Sequence, residues 1–119
     1  MEQAISKTSI ANLNVLTCGP IPPNPSDLLD SKAMEQVMDE LKQTYDYIIF
    51  DTPPILLVTD SQIIASKSDG VVMVVACGKT RRDRLIVAKE LLEKTNTLIL
   101  GAVVNGVVSK KNDYFGHYG

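Results

Sequence analysis

The sequence has one histidine, His117, and two cysteines, Cys18 and Cys77, that form no CxxC pair. A single histidine leaves neither a His-based triad nor a multi-His metal site. The cysteine usage suits buried thiols in a reducing cytosol. No apolar run approaches the roughly 20 residues that span a bilayer. The opening Met1-Glu2-Gln3-Ala4-Ile5-Ser6-Lys7 has no apolar segment of signal-peptide length. Basic charge is not in surplus: 12 Lys and Arg stand against 14 Asp and Glu, a net charge of −2. A general nucleic-acid binder would be basic. What is present is ordinary globular material. The 119 residues are 45% hydrophobic and 22% charged, enough for one small domain or part of a larger one.

Residues 1–12 are polar without a clear period and read as an incoming linker. Asn14 to Cys18 reads as a short strand closed by Gly19-Pro20. Four prolines in positions 20–25 predict a stiff, extended loop without helix or sheet. Ser31 is placed to cap a helix whose apolar residues Met34, Val37, Met38 and Leu41 follow helical spacing, ending near Gln43. Tyr45 to Asp51 reads as a buried strand stopped by Pro53-Pro54. Thr59 and Gln62 have the spacing of a capping box for a short helix to about Ser66. Val71 to Ala76 is apolar throughout, the pattern of a strand buried on both faces. Thr80 and Asp83 are candidate caps for a helix with Leu85, Ala88, Leu91 and Leu92 inward. Leu98 to Val104 is the last strand. Ser109 to Gly119 is a polar, tyrosine-containing tail, expected to be mobile. Strands alternating with helices imply an α/β fold with a parallel sheet flanked by helices, in one domain over residues 13–108.

Asp51 is the first candidate for chemistry. Ligands of parallel α/β sheets bind beyond the carboxyl ends of the strands. A carboxylate there can hold a nucleotide-bound Mg²⁺, or can bond the following turn. Thr52-Pro53-Pro54 predicts a rigid exit that leaves it exposed. Gly78-Lys79-Thr80 fails as a phosphate-binding loop, because Met73 stands where such a loop needs glycine. It reads as a strand-to-helix turn ending in an N-cap. All three arginines, Arg81, Arg82 and Arg84, fall in the next helical turn, where cations oppose the helix dipole. They form a solvated surface turn, or a contact with an acidic partner, a phosphorylated segment or a neighbouring subunit. Asn105-Gly106 between valine pairs is a type I′ hairpin signal. Alternatively Asn105 ends a strand and offers its amide to a nucleobase. Tyr114 and Tyr118 lie in the tail.

Together these segments resemble the bacterial tyrosine kinase family of capsule and exopolysaccharide synthesis. The resemblance rests on Leu16-Thr17-Cys18-Gly19-Pro20-Ile21-Pro22-Pro23-Asn24-Pro25-Ser26-Asp27-Leu28-Leu29 and on Tyr45-Asp46-Tyr47-Ile48-Ile49-Phe50-Asp51-Thr52-Pro53-Pro54. It continues through Val58-Thr59-Asp60, Asp69-Gly70-Val71, Gly78-Lys79-Thr80 and Gly101-Ala102-Val103-Val104-Asn105-Gly106-Val107. Such kinases are similar to Min- and Par-type P-loop ATPases that phosphorylate protein tyrosines. The resemblance implies ATP and Mg²⁺ as cofactors, Asp51 as the catalytic, metal-serving Walker B carboxylate and Asn105 as the adenine-recognising residue. It makes Tyr114 and Tyr118 the phosphoacceptors, modified in trans. It implies a membrane-anchored activator protein, homo-oligomers formed through an intact kinase, and a cytoplasmic place at the inner face of the cell membrane.

Two family motifs are missing. The Walker A loop of these kinases and a second acidic Walker motif lie upstream of the proline loop, and neither occurs in this sequence. The family's P-loop strand sits beside the strand bearing Asp51. The expectation is therefore the C-terminal part of a P-loop kinase domain, inactive alone and left with open strand edges. Two alternatives stand beside it: a non-catalytic interaction or substrate fragment that joins an intact kinase, and half of a Min- or Par-like ATPase.

Overall fold

In the computed structural model, which describes residues 4–108, the two all-apolar runs pair as parallel strands. Strand β3 (Val71–Ala76) lies beside β4 (Ile99–Asn105), joined through helix α4 (Arg82–Glu93). Their register runs from Val71 opposite Ile99 to Ala76 opposite Asn105, with one irregularity between Val71 and Val72. Gly70 leads into β3 where a Cβ would stand 2.8 Å from Leu100 Cγ. Before β3 come β1 (Ile5–Lys7), β2 (Asn14–Leu16), α1 (Pro25–Leu29), α2 (Lys32–Thr44) and α3 (Asp60–Ser66).

The linker reading of residues 1–12 requires a correction, because β1 pairs antiparallel with β2 in a hairpin. Asn12 takes the left-handed conformation at its turn, φ 62°, and the Thr8 hydroxyl donates to the Leu13 carbonyl at 2.9 Å. A three-residue strand is specified by its pairing, which a polar sequence does not advertise. Pro25 corrects the proline-loop reading: it opens α1 as its first residue, the one helical position where the missing N–H costs nothing.

Helix α2 forms as its spacing predicts. Ser31 Oγ accepts the Met34 amide at 3.2 Å, and Met38 and Leu41 are buried. With Ile64 and Ala65 of α3 and Ala88 and Leu92 of α4, they make up the buried apolar core of the described residues. The Thr97 hydroxyl donates to the Ala65 carbonyl, tying the approach to β4 onto the end of α3. This core is thin. Among the described residues no large side chain falls below 2% exposure.

Two strand expectations fail in an instructive way. Tyr45 to Asp51 forms neither helix nor strand, with a bend at Asp46. Its side chains alternate as a strand's do, Ile48 and Phe50 half-buried, Tyr47 and Ile49 about nine-tenths exposed. From Asp46 to Thr52, no backbone group bonds to the backbone of another described residue. Strand β3 is not buried on both faces either: Val72 and Val74 are 51% and 72% exposed. The residues carry the apolar pattern of a sheet interior, and the neighbours that would complete that interior are not among the described residues.

Candidate nucleotide and metal site

Asp51 stands at the carboxyl end of the Tyr45–Asp51 segment, exposed, with no hydrogen bond or ion pair among the described residues. The chain beyond it is held. The Pro53 carbonyl accepts the buried Ser61 hydroxyl, and the Leu57 amide closes a turn onto the Pro54 carbonyl at 2.9 Å. Two rigid prolines anchored to α3 thus present a free carboxylate. An unpaired, solvated carboxylate can take a hard cation without first breaking a protein contact.

The same loop is tied to the proline segment. Ser26 Oγ donates to Asp60 Oδ1 at 2.6 Å and lies 3.3 Å from Thr59 Oγ1. Thr59 ends the loop at the N-cap position, yet its side chain makes no cap bond. The capping-box reading of Thr59 and Gln62 is thereby corrected, since the threonine hydroxyl turns to Ser26. Sequence reasoning assigned Ser26 and Asp60 no role. They are 34 residues apart, and no local pattern pairs them.

Asn105 ends β4 beside Ala76, and its carbonyl accepts the Cys77 amide at 2.8 Å. Val107 and Val108 form no strand, so the hairpin alternative is not realised. Gly106, at φ 74°, donates its amide to Asn105 Oδ1 at 2.8 Å. That leaves the Asn105 side-chain NH₂ free of hydrogen bonds among the described residues. Opposite, Gly78-Lys79-Thr80 forms a tight turn onto the Ala76 carbonyl, with Gly78 at φ 69°. Thr80 is not a helix cap: its hydroxyl accepts the Ala76 amide at 3.1 Å, and Arg81 occupies the N-cap position of α4. The structure therefore brings Asn105 against the Ala76–Thr80 turn, while no hydrogen bond links either to Asp51.

Arg81 is paired with Asp83 through two bonds of 3.0 and 3.1 Å, leaving exposed Arg82 and Arg84 without an ion pair among the described residues. Cys18 and Cys77 are free thiols and both exposed, which corrects the expectation of burial. Each sits in the loop just after a strand rather than inside one. Tyr114 and Tyr118 lie outside the described residues. At the far end of α3, Lys67 bonds Glu35 at 3.1 Å and Asp30 at 3.3 Å. The Glu35 hydrogen bond, aided by Asp30, holds its ammonium above the ordinary value of 10.5, against the opposing pull of desolvation. This cluster fastens α3 to α1 and α2. No helix among the described residues is long and apolar enough to cross a membrane.

The described geometry is found again in known proteins. Residues 2–99 match the family model described as an AAA domain. The tyrosine-protein kinase YwqD of Bacillus subtilis is 46% identical over 119 residues, covering 100% of this chain and 50% of the kinase. The putative tyrosine-protein kinase CapB of Staphylococcus aureus is 42% identical over 117 residues, covering 98% of this chain and 51% of its own length. The crystal structure of the chimerical protein CapA2B2 superposes with a TM-score of 0.87 at 41% identity, over 91% of this chain and 48% of that one. The kinase domain of Escherichia coli tyrosine kinase ETK gives 0.85 at 30% identity, over 93% and 44%. The chain thus spans about half the length of the curated relatives it matches. It belongs to the AAA domain family, and the curated relatives it is similar to are tyrosine-protein kinases of bacteria.

Proposed function

We propose that the chain is the carboxyl-side portion of an ATP-dependent protein-tyrosine kinase that regulates capsule or exopolysaccharide synthesis and export. The observation that carries the reading is Asp51, a free carboxylate presented by a proline exit that Ser61 anchors. It fits a Mg²⁺ held directly or through water, and the ion would neutralise charge on the transferring phosphoryl group. Asn105, at the end of β4 with its NH₂ free, suits recognition of adenine. Tyr114 and Tyr118 receive phosphate in trans. Residues 4–108, with the β1–β2 hairpin included, act as the partial kinase domain and 109–119 as the acceptor tail.

The chain supplies no glycine-rich loop and no P-loop lysine to grip the phosphates. Preorganised donors of that kind supply most of the stabilisation in phosphoryl transfer. The chain alone is accordingly inactive. In this reading it works at the inner face of the cell membrane, with a membrane-anchored activator and with homo-oligomers of an intact kinase. Arg82 and Arg84 are the surface offered to a neighbouring subunit.

The test is phosphorylation of the full 119-residue chain by the intact Bacillus subtilis relative with Mg·ATP, read by mass spectrometry. Phosphate on Tyr114 or Tyr118, absent from a Tyr114→Phe/Tyr118→Phe variant, supports the acceptor role. No transfer to either removes it.

A further inference from the structure

The end of the sheet that holds Asn105 also carries the chain's cationic turn. Strands β3 and β4 run parallel and are joined through α4, so both carboxyl ends and the first turn of the helix meet there. Three bonds fix the contact. The Asn105 carbonyl accepts the Cys77 amide at 2.8 Å, and the Ala76 carbonyl and amide close the turn onto Thr80 at 2.9 and 3.1 Å. Lys79, Arg81, Arg82 and Arg84 place four cations in six positions of this turn and helix start. Asp83 is the one carboxylate among them, and Arg81 already holds it through two bonds. Lys79, Arg82 and Arg84 are exposed and have no ion pair among the described residues. Cations in a first helical turn oppose the helix dipole, so their placement works against the helix unless an anion meets them. The chain leaves β4 at this same end. Tyr114 stands nine residues beyond Asn105, a reach of up to roughly 30 Å when extended. Arg82, two residues past Thr80, lies at most about 20 Å from Asn105 by the same chain dimensions.

We propose that Arg82 and Arg84, with Lys79 beside them, form a docking site for the phosphorylated side chain of Tyr114 in the same chain. The inference rests on the kinase reading for the presence of the phosphate, and it gives the surface assigned there to a neighbouring subunit an occupant from within the chain. A phosphotyrosine carries about −1.5 to −2 charge and three strong acceptor oxygens. Guanidinium groups bind such oxygens through paired, parallel N–H bonds, a geometry that an ammonium lacks. The unmodified tyrosine offers no charge, so docking follows the phosphate. Tyr114 closes a shorter loop than Tyr118 and loses less chain entropy. The tether holds the phosphate at an effective concentration of roughly 1 mM. An intrinsic dissociation constant of only about 0.1 mM then keeps it docked about nine-tenths of the time. While docked, the phosphate is shielded from hydrolysis by a phosphatase.

The experiment prepares the full 119-residue chain by semisynthesis with phosphate on Tyr114, so that no kinase is needed, and measures phosphate release by a broad-specificity tyrosine phosphatase. The expected rate is roughly tenfold slower than for the same chain carrying Arg82→Gln and Arg84→Gln, and unchanged over about a hundredfold dilution. A charge-matched control, Lys89→Gln with Lys94→Gln, removes two cations farther along the helix and should keep the protection. All four positions are exposed, so none of these changes disturbs the core. Lys110 and Lys111 of the tail are present in every sample, and their charge cancels from the comparison. Equal release from the parent and the Arg82→Gln/Arg84→Gln chain overturns the proposal. So does equal loss of protection in the control, which would assign the shielding to general charge. Protection that fades on dilution also overturns it and makes a second copy the occupant. Failure of the kinase reading shows separately: an intact kinase that puts no phosphate on Tyr114 removes the acceptor assignment and leaves the docking result as measured.

Discussion

Ser26 donates its hydroxyl to Asp60 at 2.6 Å, and this bond ties the proline segment to the helix that follows the Asp51 loop. Ser61, the next residue, holds the Pro53 carbonyl two positions beyond Asp51. The start of α3 is thus a clamp on the site loop from two sides. Replacing Ser26 by Ala removes a hydrogen bond to a charged group, about 1.5 kcal/mol at a part-buried position. The Lys67 and Ser68 amides at the end of α3 should then exchange about tenfold faster, while those of Leu85 in α4 and Lys94 just after it remain unchanged. Equal exchange throughout would deny the clamp.

Lys67 links α3 to Glu35 and Asp30, and its ammonium is held above 10.5. A raised folded-state value means that the stabilisation is complete below the unfolded value and is lost as pH rises through the folded one. The urea midpoint should therefore decline above about pH 10.5. The Lys67→Met variant should start lower at neutral pH and lack this alkaline decline. A parallel decline in both proteins would assign it to other groups.

The α3–α4 contact rests on few side chains. Leu92 is 4% exposed, and truncating it to Ala should cost about 2–5 kcal/mol. In a domain with so thin a core that is enough to remove protection across α4. Ile86→Ala, at a position 49% exposed, serves as the control and should cost well under half as much. Hydrogen exchange on the two variants makes the comparison.

Exposed Tyr47, Ile49, Val72, Val74 and Val103 should make the isolated chain bind the dye ANS and self-associate. Addition of the N-terminal half of a related kinase should suppress both effects. A dye-silent, cooperatively melting monomer would show that these surfaces are satisfied without a partner.

Much of the architecture was legible in the residues. The bounds of β3 match the apolar run, Ser31 caps α2 as its spacing predicts, and β4 is displaced by one residue from the predicted run. What escaped has a common cause. Tyr45 to Asp51 has the composition of a strand, but a strand needs a neighbour, and hydrophobic pattern records burial without saying who provides it. The same holds for Val72 and Val74. At Asn105 a local signal competed with a distant one. Asn-Gly favours a hairpin, but Val103 and Val104 were already laddered on β3, and the glycine amide bonded the asparagine side chain instead. Thr59 and Thr80 were read as caps from spacing, and both hydroxyls found other partners. The exposure of Asp51 was legible because it depends on the local Thr52-Pro53-Pro54 exit. The Ser26–Asp60 bond was not, because it depends on the fold.

In the proposed function, this chain contributes the carboxylate side of a phosphoryl-transfer site whose phosphate grip lies in another segment. The direct measurement is Mg·ATP-dependent tyrosine phosphorylation by three samples: the chain alone, the N-terminal kinase half alone, and their mixture. Activity is expected only in the mixture, reduced on the order of 100-fold by Asp51→Asn in this chain. Activity of the chain alone, or a mixture indifferent to Asp51→Asn, would contradict it.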